Sequence, residues 1–477
     1  MRIVFVFPPF DHKKFEEDID VVSREFTQPP PLGLAYAAAI AEKSGHDAII
    51  IDANLRPRMS KEDVLAQINE FKPQILSFML TAYMFQQTLE WIVFLKQKTG
   101  LPVLVGNILM ELYPKEVFSH REIDFGIIGS AQKPLPALLR ALENGGSLEG
   151  IKGLCYRENG QLVIQPPDTL REDFDSLPFP ARHLLANDRY YTVVSKRKNF
   201  TIMMTSKGCV SRCGFCHVKD IPYSARSPVG VADELEECYG RHGIREIEFF
   251  DPVFTVNRAR VREICLEIRR RGLDISWACR ARVDQVDEEL LREMKAAGCA
   301  RIYYGLECGN QAILDKTSKG ITLERIREVV RITQNCGILT LGFFLIGAPG
   351  ETVRTIEETI RFAMSLGLDY AQFHKTVAKP KTLLYDEVMR TTGRDYWGEF
   401  VMGTAKEERL PTPWTVVSDG DIEKLTVRAY RRFYFQPSRL WKIFRGIKSF
   451  SEFGRYVRSA VGIWRVKSDL HGRRIAP

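Results

Sequence analysis

Cys209-Val-Ser-Arg-Cys213-Gly-Phe-Cys216 decides the reading of this chain: three cysteines at a C-x3-C-x2-C spacing. An apolar run, Thr201-Ile-Met-Met-Thr205, stands just before it and reads as a strand. Three thiolates on one tight loop can hold three irons of a [4Fe–4S] cluster and leave the fourth iron open. A structural zinc would need a fourth ligand; His217 is adjacent but is expected to point elsewhere if the cysteines converge. A third reading makes the three cysteines unliganded core residues.

Downstream, strand candidates at 246–250, 275–278, 301–305, 339–346 and 370–374 alternate with helical stretches at 231–242, 258–271, 288–297, 323–336 and 352–366. With 201–205 they make six strands, the pattern of a partial (β/α)6 barrel. Such barrels put their chemistry on loops at the carboxyl ends of the strands, where the cysteine loop falls.

The cysteine spacing resembles the signature of the radical S-adenosylmethionine (SAM) enzymes, in which the open iron binds and cleaves SAM. Further stretches carry the same resemblance in the same order. Phe215 resembles the aromatic that borders the adenine of SAM. Phe249-Phe-Asp-Pro-Val-Phe254 resembles a Phe-x-Asp-Asp-x-Phe segment near the SAM amino group, with Pro252 replacing the second aspartate, so Asp251 alone carries over. Tyr303-Tyr-Gly-Leu-Glu-Cys-Gly309 resembles a Gly-x-Glu-Ser-Gly stretch and puts Glu307 within reach of ribose or amino group. Leu345-Ile-Gly-Ala-Pro-Gly-Glu351 resembles a turn whose backbone, here Ile346 and Gly347, lies against adenine. Arg280 or Arg282 could fork onto the SAM carboxylate, or could pair with Asp284 or Asp287; Arg280 is the one carried forward as a SAM contact. Asp251 or Glu307 taken singly also reads as a helix cap or ion-pair partner, and Gly347 as a turn glycine. Cys279, Cys299 and Cys308 read as small core residues.

The first third alternates strands at 3–7, 48–52, 75–79, 103–105 and 125–128 with helices at 33–44, 61–71, 85–99 and 134–143, an open and mostly parallel α/β sheet. Ligands bind such sheets beyond the carboxyl ends of the strands. The stretches Phe7-Pro8-Pro9, Pro30-Pro-Leu-Gly-Leu-Ala-Tyr36, Gly45-His-Asp-Ala-Ile-Ile-Ile-Asp52 and Glu122-Ile-Asp-Phe-Gly-Ile-Ile-Gly129 resemble the cobalamin-binding domain of one branch of the radical SAM family. That resemblance implies cobalamin contacts at Ser77, Thr81, Gly106, Gly129 and Ser130. The chain departs from the family pattern at Val105-Gly-Asn-Ile-Leu109, where a Gly-Gly-x-His-like turn is usual, and at Gly129-Ser-Ala-Gln-Lys133, where an acidic turn is usual. None of the eight histidines belongs to an Asp-x-His-x-x-Gly motif, so the cobalt takes no lower ligand from one. The competing reading is a flavodoxin-like domain that binds nothing.

The expected layout is therefore α/β: a flavodoxin/Rossmann-like cobalamin-binding domain at 1–148, a linker with a small hairpin at 149–196, a radical SAM core barrel at 197–400, and a helical region at 401–477. From Arg428 onward there are thirteen Lys/Arg and two acids, Glu452 and Asp469, within a chain of net charge +8. Interleaved aromatics such as Tyr434, Trp441 and Trp464 leave three readings for this tail: a helical cap over the barrel mouth, peripheral contact with an anionic membrane, or a nucleic-acid face. Nucleic acid is not expected as the partner.

At 477 residues the chain exceeds what one core usually supports. No apolar run is long enough for a transmembrane helix, and Met1–Pro9 reads as a buried first strand broken by proline, not as a signal peptide. Ten cysteines without a disulfide framework fit a reducing, cytoplasmic setting. The resemblance implies an enzyme that generates a 5′-deoxyadenosyl radical with a [4Fe–4S] cluster, SAM and an external one-electron donor (flavodoxin or ferredoxin). With cobalamin it would methylate an unactivated carbon of a small hydrophobic substrate, such as a lipid, isoprenoid or tetrapyrrole. The alternatives are radical cyclisation, as in the anaerobic Mg-protoporphyrin ester cyclase, and a non-catalytic sensor.

Overall fold

The computed structural model describes residues 1–9, 27–168, 173–405, 410–447 and 450–465. Two compact units emerge: one of Met1–Lys14, Pro30–Arg189 and Asp395–Glu408, the other of Phe15–Pro29, Tyr190–Arg394 and Arg409–Pro477.

The first unit is built on a seven-stranded sheet. Its strands are Arg2–Phe7 (β1), Asp47–Asp52 (β2), Ile75–Met79 (β3), Val103–Gly106 (β4), Phe125–Ile127 (β5), Leu154–Glu158 (β6) and Gln161–Ile164 (β7), in the order β2-β1-β3-β4-β5-β6-β7. Ile3-Val-Phe-Val-Phe7 is a continuous buried run, as a central parallel strand covered on both faces requires. The parallel part, 2-1-3-4-5, is the flavodoxin-like order, in which the strand order reverses between β1 and β3 and opens a crevice at their carboxyl ends.

The hairpin β6–β7 turns at Asn159 and Gly160, both at positive φ, and pairs antiparallel with β5. Although read as part of a linker, it is the edge of this sheet. A second departure is helix Tyr396–Met402, which straddles the boundary read at residue 400 and packs in the first unit. Tyr113 Oη donates to Asp395 (3.0 Å), Gln86 to the Phe400 carbonyl (2.6 Å), and Trp397 meets Tyr83 edge-on at 5.8 Å.

The second unit holds six parallel strands in sequential order: Phe200–Met203 (β8), Glu246–Phe249 (β9), Ser276–Ala281 (β10), Cys299–Glu307 (β11), Leu339–Ile346 (β12) and Tyr370–Lys375 (β13). Helices Pro228–Gly240, Arg258–Arg270, Glu288–Ala296, Leu323–Asn335 and Val353–Ser365 follow the first five in turn and share one apolar core with Phe249, Trp277, Tyr304, Phe344 and Phe373. The opposite faces of the strands carry Glu246, Glu248, Arg280, Arg301 and Tyr303. Charge there is paired: fully buried Arg301 donates to Glu246 (2.6 Å), whose other oxygen accepts the Lys196 and Arg197 backbone N–H groups (2.7 Å each).

An open barrel leaves an edge, and the C-terminal region closes it. Helix Asp419–Tyr434 lies along edge strand β13. The Tyr434 hydroxyl donates to the Ala371 carbonyl (2.8 Å) and accepts its N–H (3.1 Å), while the Tyr430 hydroxyl accepts the Phe373 N–H (3.1 Å). These bonds satisfy backbone groups that an edge strand would otherwise expose. Helix Phe450–Arg465 sits lower, with Tyr456 bonded to Tyr370 at the start of β13 (2.9 Å). These helices form a side wall and floor instead of a lid over the mouth. Lys448 and residues 466–477 of the basic tail lie outside the described residues.

Candidate functional site

The cysteines sit on an excursion whose neck is a two-residue ladder, Ser206–Lys207 against Ser224–Ala225. Gly208, at φ +79°, closes it: a Cβ there would run into the carbonyl oxygens of Ile221 and Pro222. Within the loop the Cys216 N–H donates to the Cys213 carbonyl (3.1 Å). The loop is tied down by Gly214 N–H to the Thr317 carbonyl and Leu383 N–H to the Gly214 carbonyl (3.1 Å each). Cys213 is buried; Cys209, Cys216 and Phe215 are half-buried and His217 is exposed.

The donor set is three cysteine thiols. Among the described residues no three His, Cys, Asp or Glu side chains converge on a single-ion position. Ser211 N–H points at Cys209 Sγ (3.4 Å) and Arg282 at Cys213 Sγ (3.8 Å), the kind of donation that stabilises sulfur carrying negative charge. Burial pushes the Cys213 and Cys216 thiols up, and Lys319 and Arg282 pull Cys213 back. Buried thiols held up in this way become good ligands when a cationic group compensates their charge. Three thiols on one loop, with these donors beside them, fit a [4Fe–4S] cluster.

The residues expected around SAM all stand at the carboxyl ends of strands, but they differ in availability. Glu307 closes β11 at φ +62°, beyond a bulge in the β11–β12 pairing, and bonds Lys319, with both side chains buried. Arg282 donates to the Lys319 carbonyl (2.7 Å) and forks onto Asp284 (2.9 and 2.7 Å). A run of direct contacts therefore links Cys213, Arg282, Lys319 and Glu307. Lys319 was not legible from the sequence: it lies in Ser318-Lys-Gly320, between helices, with no motif spacing to mark it.

Asp251 departs from expectation. It has no exposed surface, and its two oxygens accept from the Thr205 N–H, Thr205 Oγ1 and Ser206 Oγ, each at 2.6 Å. Its carboxylate is spent on fixing the entry to the cysteine loop, with Arg260 bonding the Thr205 carbonyl beside it (3.0 Å). Arg280 donates to Glu248 (3.1 Å) and lies 3.8 Å from the ring centre of Phe250, which is 46% exposed. Ile346 and Gly347 end β12 in a turn held from within. Glu351 accepts the Gly347 and Ala348 N–H groups (2.7 and 2.9 Å), and Trp414 Nε1 donates to the Gly347 carbonyl (2.8 Å). Burial pushes the Glu351 carboxyl up to about 7.

In the first unit, Thr81, Gly106, Gly129 and Ser130 fall at the carboxyl edge of β3, β4 and β5, whereas Ser77 is buried in the middle of β3, short of that edge. Gly129 (φ +81°) and Ser130 line a cleft of about 780 Å³ with Lys133, Lys152, Asp168 and Ser176; the other three lie outside its lining. Asn107, where the family pattern has glycine, holds φ 85° and ψ −171°, a region otherwise almost confined to glycine. A sheet edge with open glycine turns and a polar cleft suits a large polar cofactor.

Residues 203–363 match the Radical SAM superfamily and residues 20–139 the B12 binding domain. An uncharacterized methyltransferase of Pyrococcus horikoshii is 32% identical, over 98% of this chain and 98% of its own length. The anaerobic magnesium-protoporphyrin IX monomethyl ester cyclase of Cereibacter sphaeroides is 27% identical over 94% of this chain and 72% of its own length. The fold is shared with the radical SAM methyltransferase TsrM of Kitasatospora setae, solved with cobalamin and a [4Fe–4S] cluster bound (TM-score 0.64, 22% identity, 81% of this chain and 75% of that one). With its two cofactor-binding units in this order and a relative matched end to end, the chain belongs to the cobalamin-binding radical SAM family, as a methyltransferase-like enzyme that uses a [4Fe–4S] cluster, SAM and cobalamin.

Proposed function

We propose that this enzyme transfers a methyl group to an unactivated carbon of a small hydrophobic substrate. The observation that carries the reading is the presence, in one chain, of a three-thiol loop at the carboxyl end of a barrel and a 2-1-3-4-5 sheet with an open carboxyl edge. The end-to-end likeness to a methyltransferase supports it. When bound, the cluster with SAM supplies a carbon-centred radical that takes a hydrogen atom, and cobalamin supplies the methyl group.

The chain's own part is to hold and to exclude. Cys209, Cys213 and Cys216 ligate the cluster, and Thr205, Asp251 and Arg260 keep the loop entry rigid around them. Phe215, Ile346 and Gly347 bound adenine, and Glu307 and Arg280 meet the polar groups of SAM. Thr81, Gly106, Gly129 and Ser130 meet cobalamin. Phe250, half exposed at the carboxyl end of β9, offers an apolar surface where a hydrophobic substrate would lie. A flavodoxin or ferredoxin supplies the electron, in a cytoplasmic setting that suits ten free cysteines.

Anaerobic reconstitution with SAM labelled by deuterium in its methyl group tests this. The expected result is a labelled product that disappears when cobalamin is withheld. SAM consumption with an unlabelled, ring-closed product would instead favour the cyclase reading, which the 27% identity to the magnesium-protoporphyrin cyclase supports.

A further inference from the structure

Helices Pro437–Gly446 and Phe450–Arg465 carry large apolar side chains that stand partly exposed at the surface. On the second helix Phe453, Val457, Val461 and Trp464 recur at steps of four, four and three, which puts them on one face, and they are 46, 41, 39 and 70% exposed. On the first, Leu440 and Trp441 are 45 and 60% exposed. Between the helices lies a cavity of about 550 Å³ whose walls, among them Val193, Tyr370, Tyr434, Leu440, Tyr456 and Ile463, are almost wholly apolar. Tyr370 is the first residue of β13, so the cavity opens at the amino ends of the barrel strands, away from the cysteine loop.

We propose that this surface docks on an anionic membrane, with a lipid hydrocarbon chain entering the cavity. Exposed Arg445 lies one turn beyond Trp441, and exposed Arg458 stands beside Val457, so basic residues flank the apolar stripe. Both signals of a stable interfacial anchor are thus present, an apolar face and cationic flanks. No helix of the described residues is long and apolar enough to cross a membrane, which leaves contact with the membrane surface. A second copy of the chain is a poor occupant, because pairing would bring together two segments with thirteen Lys/Arg and two acids each. A nucleic acid would leave the apolar cavity unfilled.

The proposal goes beyond methyl transfer and does not depend on it, since docking is read without substrate or turnover. The test floats the full-length, anaerobically reconstituted enzyme with vesicles of phosphatidylglycerol and phosphatidylcholine, and with vesicles of phosphatidylcholine alone. Binding should favour the anionic vesicles and weaken in high salt. The double variant Arg445→Glu, Arg458→Glu should lose at least about tenfold in affinity, at roughly 1 kcal/mol per basic residue. Trp441→Ala with Trp464→Ala should also release the protein, and both variants should cleave SAM at the unaltered rate. Equal binding to neutral vesicles, or variants that float like the parent, would overturn the proposal. So would a dimer that the same substitutions split, or single-stranded RNA bound more tightly than anionic vesicles.

Discussion

Lys319 donates to the Glu307 carboxylate across a site where the two side chains are 8% and 7% exposed. Glu307 holds a left-handed backbone at φ +62°, a strain of about 1–2 kcal/mol for a residue with a Cβ. Gly305 leaves the room, since a Cβ there would collide with both charged groups. Removing one partner strands a buried charge, so Lys319→Ala should destabilise the enzyme by about 3–5 kcal/mol in denaturant unfolding. The double variant Lys319→Met, Glu307→Gln should recover part of that loss. A single variant as stable as the parent would mean the pair is solvated.

Each of Cys209→Ala, Cys213→Ala and Cys216→Ala should lower bound iron from about four atoms per chain to about one or fewer and abolish SAM cleavage. Cys279→Ala is the control. Its thiol is buried in the core shared with the helices, so iron should be retained while stability falls by about 1–2 kcal/mol. Iron and sulfide assays on anaerobic protein read the difference.

Asp251→Asn keeps the shape but turns one acceptor into a donor facing Thr205 and Ser206. A buried mismatch of this kind costs about 1–3 kcal/mol. Because those residues form the loop entry, the variant should surrender iron to a chelator faster than the parent. Unchanged release kinetics would separate Asp251 from the loop.

Glu351 supplies a pH dependence. Its carboxyl is raised from the ordinary 4.5 to about 7, so the folded state binds the proton more tightly than the unfolded chain. Stability from this group is therefore undiminished below the unfolded value and falls as pH rises through about 7, by up to about 3 kcal/mol. Glu351→Gln does not titrate. The stability difference between variant and parent should shift towards the variant between about pH 5 and about pH 8. A difference that stays constant over that range would place the carboxyl in water.

The alternation of strands and helices, the three cysteines and the order of the SAM-like stretches were all legible along the chain. They are local matters: apolar periodicity sets each element, and covalent spacing keeps three thiols on one loop. Tertiary structure decided who pairs with whom. Asp251 reads as a ligand contact in its motif, yet folding brings it to Thr205 and Ser206 across forty-odd residues, where no water remains to compete for its oxygens. Lys319 has no signature because its role exists only once β11 has delivered Glu307 beside it. The tail was readable as basic, aromatic and helical, but its position was set by the unpaired backbone of β13, which Tyr430 and Tyr434 satisfy. Periodicity is determined by neighbours in sequence. The satisfaction of buried charge and of open backbone is determined by neighbours in space.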